Sequence, residues 1–196
     1  MSQATAVRPA PAHALWHGSW APPEAEDGAR IARLPALQRM LLTTDGTVTT
    51  ALAMIAGEPV GVRMVSQEVV ALAEDDGELA LWAGANVLHR RVLLHGAESG
   101  TPLLYGASRI VAHRLPRPAR EALVAGGVAI GLVLREHEIE TFRAPLSVGV
   151  MPASDAAAAH LGPGLMCTRT YAICSQGRPL MIVHEEFPAA GFGARR

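Results

Sequence analysis

The chain has 196 residues and a formal net charge of −1; its 17 basic residues, all arginine, face 18 acids. That balance and an aromatic content of only 4% exclude a general nucleic-acid binder, which needs clustered positive charge and stacking rings. An apolar content of 49% is enough for the core of one domain, and no apolar run reaches the roughly 20 residues that span a bilayer.

Residues 1–30 are rich in Pro and Ala and carry no period, which predicts an irregular arm that Trp16 and Trp20 could pin to the domain. The arm has no apolar core of signal-peptide length, so a cytoplasmic chain is expected. A single domain is predicted over 31–190, with 191–196 as a short tail. LPALQRMLLT reads as a helix. ALAMIAG reads as a second, capped by Thr47 or Thr49 and stopped at Gly57. EPVGVRMVSQEVVAL alternates as a strand, and residues 74–85 read as a loop. NVLHRRVLLHG and PLLYGASRIVAH form a hairpin across residues 97–101. PRPAREALVAG and residues 128–135 are helical, EIETFRAPLSVGVM is a fourth strand, and SDAAAAHLG is a helix capped by Ser154. GLMCTRTYAICS and RPLMIVHEEFP close the chain as a second hairpin turning at residues 175–177. Hairpin-joined strands with interspersed helices predict an α+β fold with a six-stranded antiparallel sheet.

Dinucleotide, Walker, nucleophile-elbow and paired-cysteine motifs are absent. Cys167 and Cys174 lie on one strand at odd spacing, so they face opposite ways and stay unpaired; free thiols suit a reducing compartment. The histidines are scattered. His13 and His17 sit in the Pro/Ala arm, and His89 and His95 are too far apart on one strand for a shared ion, so no metal site is expected. Two charges stand out instead. Arg90 alternates with Leu88, Val92 and Leu94, and Glu185 alternates with Met181, Val183 and Phe187. A charge in an apolar layer needs a partner, because unpaired burial costs several kcal/mol. Two readings follow: a buried Arg90–Glu185 salt bridge, or one pocket in which the arginine grips a ligand carboxylate.

LLTTDGTVTTAL with GEPVGVRMV, HRRVLLHG with GTPLLYGASRIV, VAIG, and CTRTYAICSQGRPLMIVHEEFP occur in this order, within a stretch from about Leu34 to Pro188. The ordered set resembles the chorismate pyruvate-lyase family. The resemblance implies a sheet of six strands enclosing a buried site, and conversion of chorismate to 4-hydroxybenzoate and pyruvate with no cofactor. It implies that Arg90 grips the ring carboxylate and that Glu185 lies at the hydroxyl end. It places the backbone of Ile130, beside Gly131, at the carboxylate, and Thr47-Val48-Thr49 as a loop at the hydroxyl. Arg169 aligns with a further basic position. Partners are then the small molecules chorismate and 4-hydroxybenzoate, with no nucleic acid or membrane; nothing specifies an oligomeric state. A closed pocket implies product inhibition and a moving flap at residues 46–58 or 116–135. Two other readings remain: a related enzyme acting on another substrate, such as an amino-deoxy analogue, and a non-catalytic aromatic-ligand module like the regulator effector domains of similar fold.

Overall fold

A computed structural model of the chain describes residues 25–192, with side chains from residue 29. Trp16, Trp20, His13 and His17 therefore lie outside the described residues. Helices α1 (Ala25–Ala32), α2 (Ala36–Thr43) and α3 (Val48–Ala56) precede strand β1 (Val60–Ala71). The hairpin β2 (Asn86–Gly96) and β3 (Pro102–Ile110) follows, then α4 (Arg117–Ala125), α5 (Ile130–Glu136), β4 (Phe142–Pro152), α6 (Asp155–Leu161) and the hairpin β5 (Leu165–Ser175) and β6 (Arg178–Pro188). The six strands form one sheet in the order β1-β2-β3-β6-β5-β4, and every neighbouring pair is antiparallel. The protein is thus α+β, as the hairpin spacing predicted. The expected arm is helical at its end, because α1 begins at Ala25. The 74–85 loop holds a single isolated bridge, Asp76 to Leu81. Among the described residues no helix is long and apolar enough to cross a membrane.

The closing hairpin turns through Gln176 and Gly177, both at positive φ (49° and 73°). This mirror-image geometry matches the right-handed twist of paired strands. A bulge between Ile173 and Cys174 then shifts the register, so Arg169 stands directly opposite Glu185. Without it the turn alone would oppose Arg169 to His184, on the other face of β6. That one extra residue decides which charge meets the glutamate.

Register divides one face of the sheet into cross-strand rows. Leu94 pairs with Leu104 in the β2–β3 half of this face, and Cys167 pairs with Phe187 and Val150 in the β6–β5–β4 half; these five join one apolar cluster with Leu41, Val48 and Leu52 of α2 and α3. Leu88, Ile110, Met181 and Ile173 form another row, and they cluster with Ala119, Leu123, Val133 and Leu134 of α4 and α5. Between them run two polar-bearing rows: Val92-Gly106-Glu185-Arg169-Val148 and Arg90-Ser108-Val183-Tyr171-Pro145. The helices cover the two apolar rows and part over the polar ones. A pocket opens at this seam.

The opposite face explains the doublet Glu185-Glu186. Successive strand residues point to opposite faces. Glu186 therefore leaves the seam and accepts bonds from the Ser154 backbone N–H at 3.0 Å and hydroxyl at 2.6 Å. Ser154 in turn accepts the Ala157 N–H at 3.1 Å, which makes it the N-cap of α6 that the sequence predicted. Cys167 and Cys174 are both buried and free, in separate clusters; burial pushes the Cys167 thiol up to about 12.

Candidate functional site

The empty space of the seam pocket, open solvent at its mouth included, is about 550 Å³, and its walls include Arg90, Glu185, Thr47, Val48, Thr49, Ile130 and Gly131. Seven of the eight positions singled out in the sequence therefore meet at one cavity. Thr47 is the N-cap of α3, with extended backbone (φ −76°, ψ 108°). Val48 and Thr49 are the first helical residues after it, so the stretch expected as a loop is largely a helix start. Ile130 and Gly131 open α5, and no side chain caps that end. Two first turns, whose N–H groups lack intrahelical partners, thus edge the same opening. Gly131 permits the approach: a Cβ there would lie 2.7 Å from Thr47 Cγ2.

Arg90 is 1% exposed. Its Nη2 donates to the Val128 carbonyl at 2.6 Å, which ties the α4–α5 link to the sheet. Its Nε is buried with no partner. Burial lowers the pKa of the guanidinium, and among the described residues no carboxylate offsets it. Its wall is otherwise made by Val92, Gly106, Ser108 and Ala107.

Glu185 is 5% exposed and Arg169 3%. Arg169 Nε donates to Glu185 Oε2 at 2.5 Å, and the Tyr171 hydroxyl donates to Oε1 at 3.0 Å. Of the two readings, the Arg90–Glu185 salt bridge is therefore not formed: Glu185 pairs with Arg169 instead. The reason is register. Arg169 is Glu185's direct cross-strand neighbour, whereas Arg90 is two strands away and two residues along. At about 4.8 Å per strand and 3.4 Å per residue, the Arg90 and Glu185 Cα atoms are roughly 12 Å apart. Space for a small ring lies between the side chains.

Arg169 does not line the pocket. It stands behind Glu185, and its Nη1 donates to the Leu41 carbonyl at 2.7 Å and the Thr44 carbonyl at 2.9 Å. It thereby links the glutamate to the C-terminal end of α2, where a cation is favoured. Its guanidinium carbon sits 4.9 Å from the Tyr171 ring centroid. Burial works against its charge, but the Glu185 carboxylate and the Tyr171 hydroxyl together hold its pKa above the usual value. Burial first, then the Glu185 charge, raise that of Tyr171.

The sequence reading missed Arg143, Tyr171 and Ser108, all of which line the pocket. Tyr171 was recoverable, since it follows Arg169 by two residues on the same strand and shares its face. Ser108 alternates with Gly106 and Ile110 in the same way. Arg143 was hidden by the bulge between Pro145 and Ser147, which inverts the alternation along β4. Its Nη1 donates to the Asp45 carbonyl at 2.7 Å, in the α2–α3 link.

Residues 42–192 match the profile of the family described as chorismate pyruvate-lyase Rv2949c-like. The chain belongs to this family of chorismate pyruvate-lyases. The chorismate pyruvate-lyase of Mycobacterium leprae is 29% identical over 160 residues, covering 80% of this chain and 76% of that protein. The effector domain of PhnF from Mycobacterium smegmatis superposes with a TM-score of 0.56 at 18% identity, over 72% of this chain and 88% of that domain. Against the longer PhnF chain the TM-score is 0.57, again at 18% identity; 74% of this chain covers 64% of that one. At such identities the PhnF likeness speaks for the fold alone. In this lyase-family member the six-stranded sheet, the seam pocket and the two helix starts that edge it all fall within the matched residues.

Proposed function

We propose that this protein converts chorismate to 4-hydroxybenzoate and pyruvate, with no metal or organic cofactor. One observation carries the reading. A deeply buried guanidinium without an acidic partner shares an apolar-walled pocket with a carboxylate held at the far end. Unpaired burial of a charge costs several kcal/mol, and a ligand carboxylate is the group that removes this cost with two parallel hydrogen bonds. Arg90 then clamps the ring carboxylate. Glu185, fixed by Arg169 and Tyr171, accepts the hydrogen bond of the C4 hydroxyl at the para end of the ring.

Chemistry asks little more of the protein. The C4 hydrogen leaves as a proton, and its electron pair forms the double bond that completes the aromatic ring. The C3–O bond breaks with its pair going to oxygen, and the enolpyruvate so released takes up a proton to give pyruvate. Aromatisation drives the step. Positioning supplies the acceleration, and well-aligned groups contribute about 7–11 kcal/mol.

The experiment is direct. Purified protein mixed with chorismate in the presence of a chelator should release pyruvate and 4-hydroxybenzoate in equal amounts, with progress curves slowed by added 4-hydroxybenzoate. Tight binding of 4-hydroxybenzoate without turnover would support the second reading, a ligand-holding module. That alternative is the second reading because the fold is one that the PhnF effector domain shares. Neither binding nor turnover would mean another substrate, such as an amino-deoxy analogue.

A further inference from the structure

We infer that Arg143 recognises the second carboxylate of the substrate, the one on the enolpyruvyl arm, in an annex of the seam pocket behind Tyr171. The inference deepens the proposed function and rests on it.

The annex is a smaller cavity bordered by Arg143, Arg169, Tyr171, Val148 and the Thr43–Asp45 segment. It shares Arg143 and Tyr171 with the seam pocket, so the two spaces are neighbours. Both arginines that border it keep a buried N–H group without a partner, Nε of Arg143 and Nη2 of Arg169. Buried polar groups in folded proteins are nearly always satisfied. Two orphaned cationic donors beside one small space call for an anion.

Charge matching points the same way. Glu185 neutralises Arg169. Arg90 and Arg143 make no ion pair among the described residues; Asp45 also borders the annex but pairs with neither, which leaves two arginines open to ligand carboxylates. Chorismate is a dianion with two carboxylates. 4-Hydroxybenzoate has one, and the other departs on pyruvate.

Direction agrees as well. In the strand order, β5 and then β4 follow β6 on the side away from β2; along the strands Tyr171 lies level with Arg90, and Arg143 one row beyond it, opposite Ile173. Tyr171 and Arg143 stand on those two strands. The enolpyruvyl ether is attached at C3, next to the C4 hydroxyl that Glu185 accepts. An arm leaving C3 on the β5–β4 side of the ring runs past Tyr171 toward Arg143, the two residues that the pocket and the annex share. After cleavage each arginine holds one product, and pyruvate lies against the α2–α3 link whose Asp45 carbonyl Arg143 also binds.

The test compares Arg143→Gln with Arg143→Lys and the wild type, using chorismate as substrate and 4-hydroxybenzoate as a one-carboxylate probe. Arg143→Gln should raise KM for chorismate about tenfold or more, with a smaller fall in kcat. Its affinity for 4-hydroxybenzoate should stay within about twofold of the wild type, because that ligand lacks the arm. Arg143→Lys, which keeps the charge, should recover part of the lost KM. An unchanged KM in Arg143→Gln would overturn the assignment. So would an equal loss of 4-hydroxybenzoate affinity, since a displaced α2–α3 link would weaken both ligands alike. A wild type that neither turns over chorismate nor binds 4-hydroxybenzoate would overturn the proposed function itself, and the role of Arg143 with it.

Discussion

Replacing Arg90 by methionine should abolish 4-hydroxybenzoate binding and chorismate turnover while leaving the protein as stable as the parent, or more so. A residue this deeply buried would ordinarily be counted as part of the core, and loss of core packing costs several kcal/mol. Arg90 is different in kind. Its neighbours along β2 on the same face, Leu88 and Val92, are aliphatic, its Nε has no partner, and its guanidinium makes one hydrogen bond among the described residues, to the Val128 carbonyl. Methionine fills a similar volume without the desolvation of a charge. The lost bond to Val128 costs about 1–3 kcal/mol, and the relief of the unpaired charge offsets it. Ligand binding has no such offset. Removing one member of a desolvated ion pair costs about 3–5 kcal/mol, or at least about a hundredfold in affinity. Thermal denaturation beside a ligand titration reads both quantities. A large drop in melting temperature for Arg90→Met would recast the arginine as a structural strut.

Arg169→Met should do the reverse and weaken the fold itself. It would leave Glu185 buried with no cation, and the Leu41 and Thr44 carbonyls without their donor. Breaking a buried pair from one side costs about 3–5 kcal/mol. For a domain of this size that corresponds to a melting temperature lower by roughly 6–20 °C. Adding Glu185→Gln should restore a good part of the loss, since the stranded charge is then gone and Gln can still accept from Tyr171. A double variant no more stable than Arg169→Met alone would mean that the α2 carbonyls, not the glutamate, are what Arg169 chiefly serves. Fluorescence-monitored denaturation of the two single variants and the double variant completes the cycle.

These two arginines also show what a sequence can and cannot disclose. Alternation alone marked Arg90 and Glu185 as charges set among aliphatic neighbours, and the ordered hairpins were enough to predict an α+β fold with six antiparallel strands. Pairing was another matter. Which arginine meets Glu185 depends on a single bulged residue, Leu180, opposite the step from Ile173 to Cys174, and nothing in CTRTYAICSQGRPLM announces it. A second bulge, between Pro145 and Ser147, concealed Arg143 in the same way. The starts of α3 and α5 meet because Gly131 has no Cβ to strike Thr47. That contact joins residues 84 positions apart and belongs to tertiary packing. The rows of the sheet are written in local periodicity; the register between strands, which turns those rows into a pocket, is not.

A calorimetric titration of the wild-type protein with 4-hydroxybenzoate and, separately, with phenol tests the central claim most directly. If Arg90 is an unpaired clamp for a ring carboxylate inside the seam pocket, 4-hydroxybenzoate should bind one to one and phenol at least about a hundredfold more weakly. Equal affinity for the two, or no binding of 4-hydroxybenzoate, would contradict it.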